Sequence, residues 1–279
     1  MDELAGYLDR WGLTRESADE IVTRTARLYP VRSGREPAVL KILSGANDEA
    51  LAPRWLRAFA GRGAVRVLRE DRGAVLLQRA VPGTSLAELV ADGRDEEATH
   101  IIAGVMLKLH HGRKPPAGWP TIQDWAEGFT RQRARPVHRR LPQRLLDRGE
   151  GIFRDLAASQ GKPYLLHGDL HHANILRDEA DGWLVIDPKG VVGESAYETA
   201  ASIRNPAEFY PFQLDSEFMS RRVAIFAERL GVERERILGW FIGQTVLSAC
   251  WLIEDGESEE SVARAARLAE AGIALQGKV

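Results

Sequence analysis

A 279-residue chain with a single cysteine cannot close a disulfide within itself. Cys250 lies in an apolar run, which argues for a packing role rather than a nucleophile, and cysteine scarcity points to a reducing, cytoplasmic compartment. Neither sign of charge dominates: 38 basic side chains meet 40 acidic ones, so no global field draws the chain to nucleic acid or to an anionic membrane. The opening residues, MDELAGYLDRWG, lack both the basic and the apolar region of a secretory signal. The longest apolar stretch, residues 237–253, is interrupted by Gln244 and by small residues, and reads as a buried helix rather than a membrane span. Internal repeats and low-complexity segments are absent, and no long exposed apolar stripe calls for a dimer, so a soluble monomer is expected.

What is present changes character along the chain. Residues 20–31 are rich in β-branched and aromatic residues, SGREP supplies a turn, and AVLKIL resumes as a strand, which together predict a hairpin. A helix is expected over residues 47–59, interrupted by Pro53, and then two more strands, AVRVLRE and GAVLLQRAV, joined at Asp71-Arg72-Gly73. From Val81-Pro82-Gly83 onward helical periodicity prevails. Ile101, Val105 and Leu109 form one stripe of a helix over residues 98–110, and a second helix over 221–230 ends at Gly231 as its left-handed cap. The reading is an α+β chain of two lobes, a β-rich one over residues 1–80 and a larger, mainly helical one over 81–279, a layout that commonly binds a nucleotide or other small ligand.

The run LLHGDLHHANILRDEADGWLVIDPKG sits between short apolar strands in the helical part. Asp169 and Asn174 are five positions apart and Asp187 follows thirteen later, the spacing by which phosphotransferases set a base and two magnesium ligands. A carboxylate accepts the proton of an attacking hydroxyl, and hard oxygen donors hold Mg²⁺ against a triphosphate. Turn formation alone also favours Asp and Asn. The three histidines His167, His171 and His172 raise a metal-cage alternative, but their spacing matches no familiar zinc pattern.

His167-Gly168-Asp169-Leu170-His171 with Asn174, followed by Ile186-Asp187, resembles the catalytic signature of the aminoglycoside phosphotransferase family. GWLVIDPKGVVGESAYE and SACWLIEDGE are similar to its streptomycin 6-phosphotransferase and hydroxyurea phosphotransferase branch, and the resemblance extends from about Thr25 to the last helix. It implies a bilobal protein-kinase-like fold and an ATP- and Mg²⁺-dependent kinase that phosphorylates a hydroxyl of a small antibiotic, streptomycin first and hydroxyurea next. Residue by residue, Asp169 would be the base, Asn174 and Asp187 the Mg²⁺ ligands, and His167 and His171 organisers of the loop. Lys41 would contact the α- and β-phosphates, with Glu49 or the neighbouring Asp48 as its carboxylate partner. Backbone groups of Gln78 and Ala80 would meet adenine.

Two departures accompany the resemblance. A glycine-rich phosphate loop is missing, and Thr23-Arg24-Thr25-Ala26 stands in its place, so Thr25 is the expected phosphate contact. Asp187-Pro188-Lys189-Gly190 replaces Asp-Phe-Gly. The basic segment over residues 131–148 is broken by Pro136 and Pro142 and lacks interleaved aromatics, so it reads as a solvated face rather than a nucleic-acid site. The acidic run that begins at Glu254 and Asp255, beside Trp251, offers carboxylates and an aromatic face to a cationic substrate. A kinase of the same fold for an endogenous amino sugar or choline-like alcohol, and a non-catalytic ATP-binding module, remain the alternatives.

Overall fold

The structure is a computed structural model that describes residues 3–44, 51–59, 61–111, 114–135 and 140–278. It divides into two compact units, Met1–Leu86 with Asn174–Lys189, and Ala87–Ala173 with Gly190–Val279. The boundary expected after Ala80 does not anticipate the return of residues 174–189 to the first unit. That return follows from strand pairing: Pro82–Ser85 pairs with Ile175–Asp178, which pairs in turn with Gly182–Val185, all antiparallel.

The rest of the first unit is an antiparallel sheet. Its strands are β1 (Leu13–Arg15), β2 (Ile21–Val22), β3 (Ala26–Ser33), β4 (Glu36–Leu43), β5 (Val67–Asp71) and β6 (Ala74–Gln78). They run in the order β1, β3, β4, β6, β5, with β2 also on β3. The hairpin read from the sequence is β3–β4, with Gly34 at φ 63° in its turn, a conformation that costs glycine little. Alternation along β4 sends Ala38, Leu40 and Ile42 into a core with Tyr7, Tyr29 and Val31, and turns Val39, Lys41 and Leu43 to the opposite face. On that face lies the helix Leu51–Phe59, where Trp55 stacks on Phe59 at 3.9 Å between ring centroids. Pro53 lies within the described part of this helix, which continues through it to Phe59.

The second unit is helical. Arg234–Glu254 packs against Gln143–Ala158, Ser195–Arg204 and Glu259–Gln276. It is long and apolar enough to cross a membrane, but 78% of its apolar window is buried inside the protein, which is the signature of a core helix. Close approach to Gln143–Ala158 depends on Gly149, where a Cβ would stand 2.5 Å from Val246. The helices expected over 98–110 and 221–230 are the inner parts of Asp95–His110 and Ser216–Leu230, and Gly231 caps the latter at φ 65°. A two-stranded ladder, Pro163–Leu166 with Val191–Glu194, completes the unit. Burial pushes the Cys250 thiol up to about 12, which leaves it inert.

Candidate active site

In the first unit, Lys41 leaves the sheet on the face opposite the Leu40 core. Its Nζ lies 3.0 Å from Oδ1 of Asp187, while Nζ of Lys189 lies 3.6 Å from Oδ2 of the same carboxylate. Asp187 is the non-glycine residue with positive φ, 55°, among the described residues, a strained state that persists where the surroundings over-determine it. Asn174 is tied to the end of the same strand pair, its carbonyl accepting from the Ile186 N–H at 3.0 Å. Lys41, Leu43, Leu56, Val75, Leu77 and Pro188 line a small apolar recess beside the Lys41–Asp187 pair.

The threonine hairpin is self-bonded. Thr23 Oγ1 accepts from the Ala26 N–H and donates to its carbonyl, both at 3.0 Å, and the Thr25 carbonyl accepts from Ser44 N–H at 2.7 Å. Gln78 requires a correction. Its N–H donates to the Arg66 carbonyl at 2.8 Å, and its side chain accepts from Arg66 and donates to Asp181, so register on β5 consumes the donor expected for adenine. The neighbouring Ala80 is buried, and its N–H and carbonyl make no hydrogen bond among the described residues. Glu49 and Asp48 lie outside the described residues.

In the second unit, the strand Pro163–Leu166 delivers the chain into the loop that carries Asp169. A residue not singled out from sequence holds this loop: Glu198, buried on the helix Ser195–Arg204, accepts the His167 N–H at 2.7 Å and the Gly168 N–H at 2.8 Å. Gly168 sits at φ 86°, which a side chain would oppose. His167 accepts the Asp169 N–H on Nδ1 at 3.3 Å and gives its carbonyl to Gly190, and His171 accepts the Ala173 N–H. Ser202 Oγ donates to the Leu170 carbonyl at 2.7 Å. The Asp169 carboxylate then projects between two side chains, His171 Nε2 at 3.9 Å from Oδ2 and Arg204 Nη2 at 3.8 Å from Oδ1. Burial draws both His171 and Arg204 below their ordinary values. His171 is thereby kept neutral near pH 7.

The residues expected to meet a cationic substrate fare differently. Glu254 is a correction: its carboxylate is taken by Arg131 at 2.8 and 3.1 Å and by Arg135 at 3.3 Å, and the hydrogen bond from Arg131 holds it below the ordinary carboxylate value. The basic segment read as a solvated face supplies those partners. Asp255 is exposed at the end of Arg234–Glu254. Trp251 is half-buried, edge-on to Trp125 at 5.4 Å between centroids. Among the described residues no three His, Cys, Asp or Glu side chains cluster to hold a metal. The oxygen donors of Asn174 and Asp187 in one unit suit a hard cation that keeps most of its water, as Mg²⁺ does, better than zinc.

Comparison with known proteins gives a consistent set of relatives. Residues 10–256 match the model of the aminoglycoside/hydroxyurea antibiotic resistance kinase family. A streptomycin 3''-kinase of Klebsiella pneumoniae is 34% identical over 253 residues, covering 89% of this chain and 92% of that protein. A hydroxyurea phosphotransferase of Kitasatospora aureofaciens is 33% identical, covering 91% of this chain and 73% of that protein. Among solved structures, aminoglycoside phosphotransferase APH(4)-Ia in ternary complex with ADP and hygromycin B superposes with a TM-score of 0.69 at 15% identity, covering 98% of this chain and 99% of that chain. Choline kinase LicA from Streptococcus pneumoniae superposes at 0.67 and 13% identity, covering 97% of each chain. The fold expected from the sequence, α+β and kinase-like, is therefore the fold found.

Proposed function

Because the chain belongs to the aminoglycoside/hydroxyurea antibiotic resistance kinase family, and is a phosphotransferase, we propose that it moves the γ-phosphate of ATP to a hydroxyl of streptomycin. The observation that carries the reading is the likeness, over nine-tenths of the chain, to kinases named for streptomycin, 34% identical in one case and 30% in another. Hydroxyurea is the next acceptor, on the likeness to the phosphotransferase named for it. The residues present suit this chemistry, and cytoplasmic ATP is the natural donor.

Each step falls to a named side chain. The nucleotide would enter beside Lys41, with Ala80 offering its backbone N–H and carbonyl to the base edge and Thr25 as the expected phosphate contact. Lys41 neutralises charge on the phosphates, and because its side chain is only 12% exposed its field is weakly screened. Asn174 and Asp187 would hold Mg²⁺, which when bound offsets negative charge on the triphosphate. Asp169, held by the loop with His171 Nε2 3.9 Å from its Oδ2, orients the acceptor hydroxyl and takes its proton. Transfer is then mostly positioning and charge neutralisation. Trp251 and Asp255 are the substrate-side candidates that remain once Glu254 is assigned to its arginines.

The test offers ATP together with streptomycin, hydroxyurea or simple amino sugars, one at a time, and follows ADP release and acceptor mass. Streptomycin-dependent ADP release with a phosphorylated product supports the reading. ADP release that depends only on a different alcohol overturns it.

A further inference from the structure

Two arginines of the second unit are withdrawn from water, and their surroundings differ. Arg222, 1% exposed, is saturated: Nε and Nη2 meet Asp95 at 3.1 and 2.6 Å, and Nη1 donates to the carbonyls of Ser202 at 2.7 Å, Ile203 at 3.1 Å and Asn205. Its donors are spent on the protein, which marks a structural staple. Arg204, the last residue of Ser195–Arg204, has a side chain 15% exposed and, among the described residues, one hydrogen bond, from Nη1 to the buried Gln244 amide oxygen. Its nearest carboxylate oxygen, on Asp169, is 3.8 Å away, beyond hydrogen-bond reach. A guanidinium carries five N–H donors. Desolvating such a cation is costly unless partners meet it, and the helix C-terminal dipole returns only a small part of that cost.

The Arg204 Nη2 stands 3.8 Å from the Asp169 carboxylate, and Arg264 adds a second positive field there. A cationic acceptor is repelled from that position, whereas a phosphoryl anion is attracted, and the planar guanidinium fork matches two of its oxygens. We propose that Arg204 binds the oxygens of the phosphoryl group in transit, a role that rests on the phosphotransfer reading above. In that step the acceptor oxygen forms its bond to the γ-phosphorus as the bond to the bridging oxygen breaks. The electron pair leaves on ADP and the hydroxyl proton passes to Asp169. Arg204 gains its hydrogen bonds as charge spreads over the oxygens being transferred, which is the differential binding that accelerates a reaction.

The experiment compares full-length wild-type protein with Arg204→Ala and Arg204→Lys. Calorimetry measures MgADP binding with and without aluminium fluoride, a mimic of the phosphoryl group in flight, and turnover is followed with and without added guanidinium chloride. The expected result is that Arg204→Ala binds MgADP within about twofold of wild type, loses the tightening caused by aluminium fluoride, and turns over about a hundredfold more slowly. Guanidinium restores part of that turnover. Retention of the fluoride tightening in Arg204→Ala, or an equal loss of plain MgADP affinity, overturns the proposal. Where the alanine variant does not fold, Arg204→Lys decides by the same two binding readings. Wild-type protein that binds no MgADP at all overturns the phosphotransfer reading itself, and the role of Arg204 with it.

Discussion

Asp187 in the first unit is gripped by side-chain charge, Lys41 on one oxygen at 3.0 Å and Lys189 on the other at 3.6 Å. In the second unit the loop bearing Asp169 is gripped through its backbone, two N–H groups lying within 2.8 Å of the buried Glu198 carboxylate. The two grips answer different demands. Ion pairs on a partly exposed carboxylate exchange readily, so an incoming anion would take over the lysines at little cost. Backbone donors on a buried carboxylate exchange slowly, so the loop bearing Asp169 is held in one position. The unit expected to receive the nucleotide is built to be re-paired, and the unit expected to receive the acceptor is built to stay fixed.

The strongest way to break this comparison is Asp169→Ala, which should lower phosphoryl transfer by about a thousandfold while calorimetry shows unchanged nucleotide affinity. Near-normal turnover would remove Asp169 as the base and leave the fixed loop without a purpose. Next comes Glu198→Leu, which strands two buried N–H groups and should lower unfolding stability by about 3 kcal/mol in denaturant titration. Glu198→Gln, which keeps one acceptor, should recover part of that loss, and equal stability of all three proteins would deny that the carboxylate grips the loop. Asp187→Ala should weaken nucleotide binding about tenfold in the presence of Mg²⁺ and change the melting temperature little, because its pairs are partly solvent-screened. A large drop in melting temperature would place Asp187 with the rigid elements instead.

Asp178 sharpens the contrast from inside the first unit, since it is held by backbone there. Burial raises its carboxyl, but N–H donors from Asp181, Val81 and Ala180 outweigh that and hold it below the ordinary value of 3.8. A depressed carboxyl means the unfolded chain binds the proton more readily, so its contribution is complete above that ordinary value and is lost as pH falls toward the folded-state value. Asp178→Asn should cost about 1 kcal/mol at neutral pH and flatten the acid limb of a stability–pH curve. An unchanged acid limb would show that these N–H groups do not hold the carboxylate. The smallest effect is expected at Glu254→Gln, under about 1 kcal/mol in stability and no change in acceptor KM. A raised KM would return Glu254 to the substrate side.

Lys41, Asp169, Asn174 and Asp187 were readable as candidates because the chemistry expected of them dictates residue type and their spacing is local to strand ends and one loop. The partners that hold them were not. Glu198 lies about thirty residues past the loop and looks, in sequence, like any helical acid; only the packing of Ser195–Arg204 brings its carboxylate under His167 and Gly168. Arg204 is hidden in the same way, since a basic residue at a helix end satisfies a simpler rule. Gln78 was misread because register decides which N–H a strand consumes, and the bulge between Val67 and Arg69 on β5 is not written in hydropathy. Glu254 was misread because its competitors, Arg131 and Arg135, belong to a segment distant in sequence.

The return of residues 174–189 to the first unit bears on how such a protein can be inherited. A single crossover after residue 86 would carry Pro82–Ser85 away from its partner Ile175–Asp178, and would sever the bridge of Ala64 to Val185. Recombination can exchange this first unit only by two coordinated crossovers, so the strand pair flanked by Asn174 and Asp187 travels with Lys41 or the exchange fails.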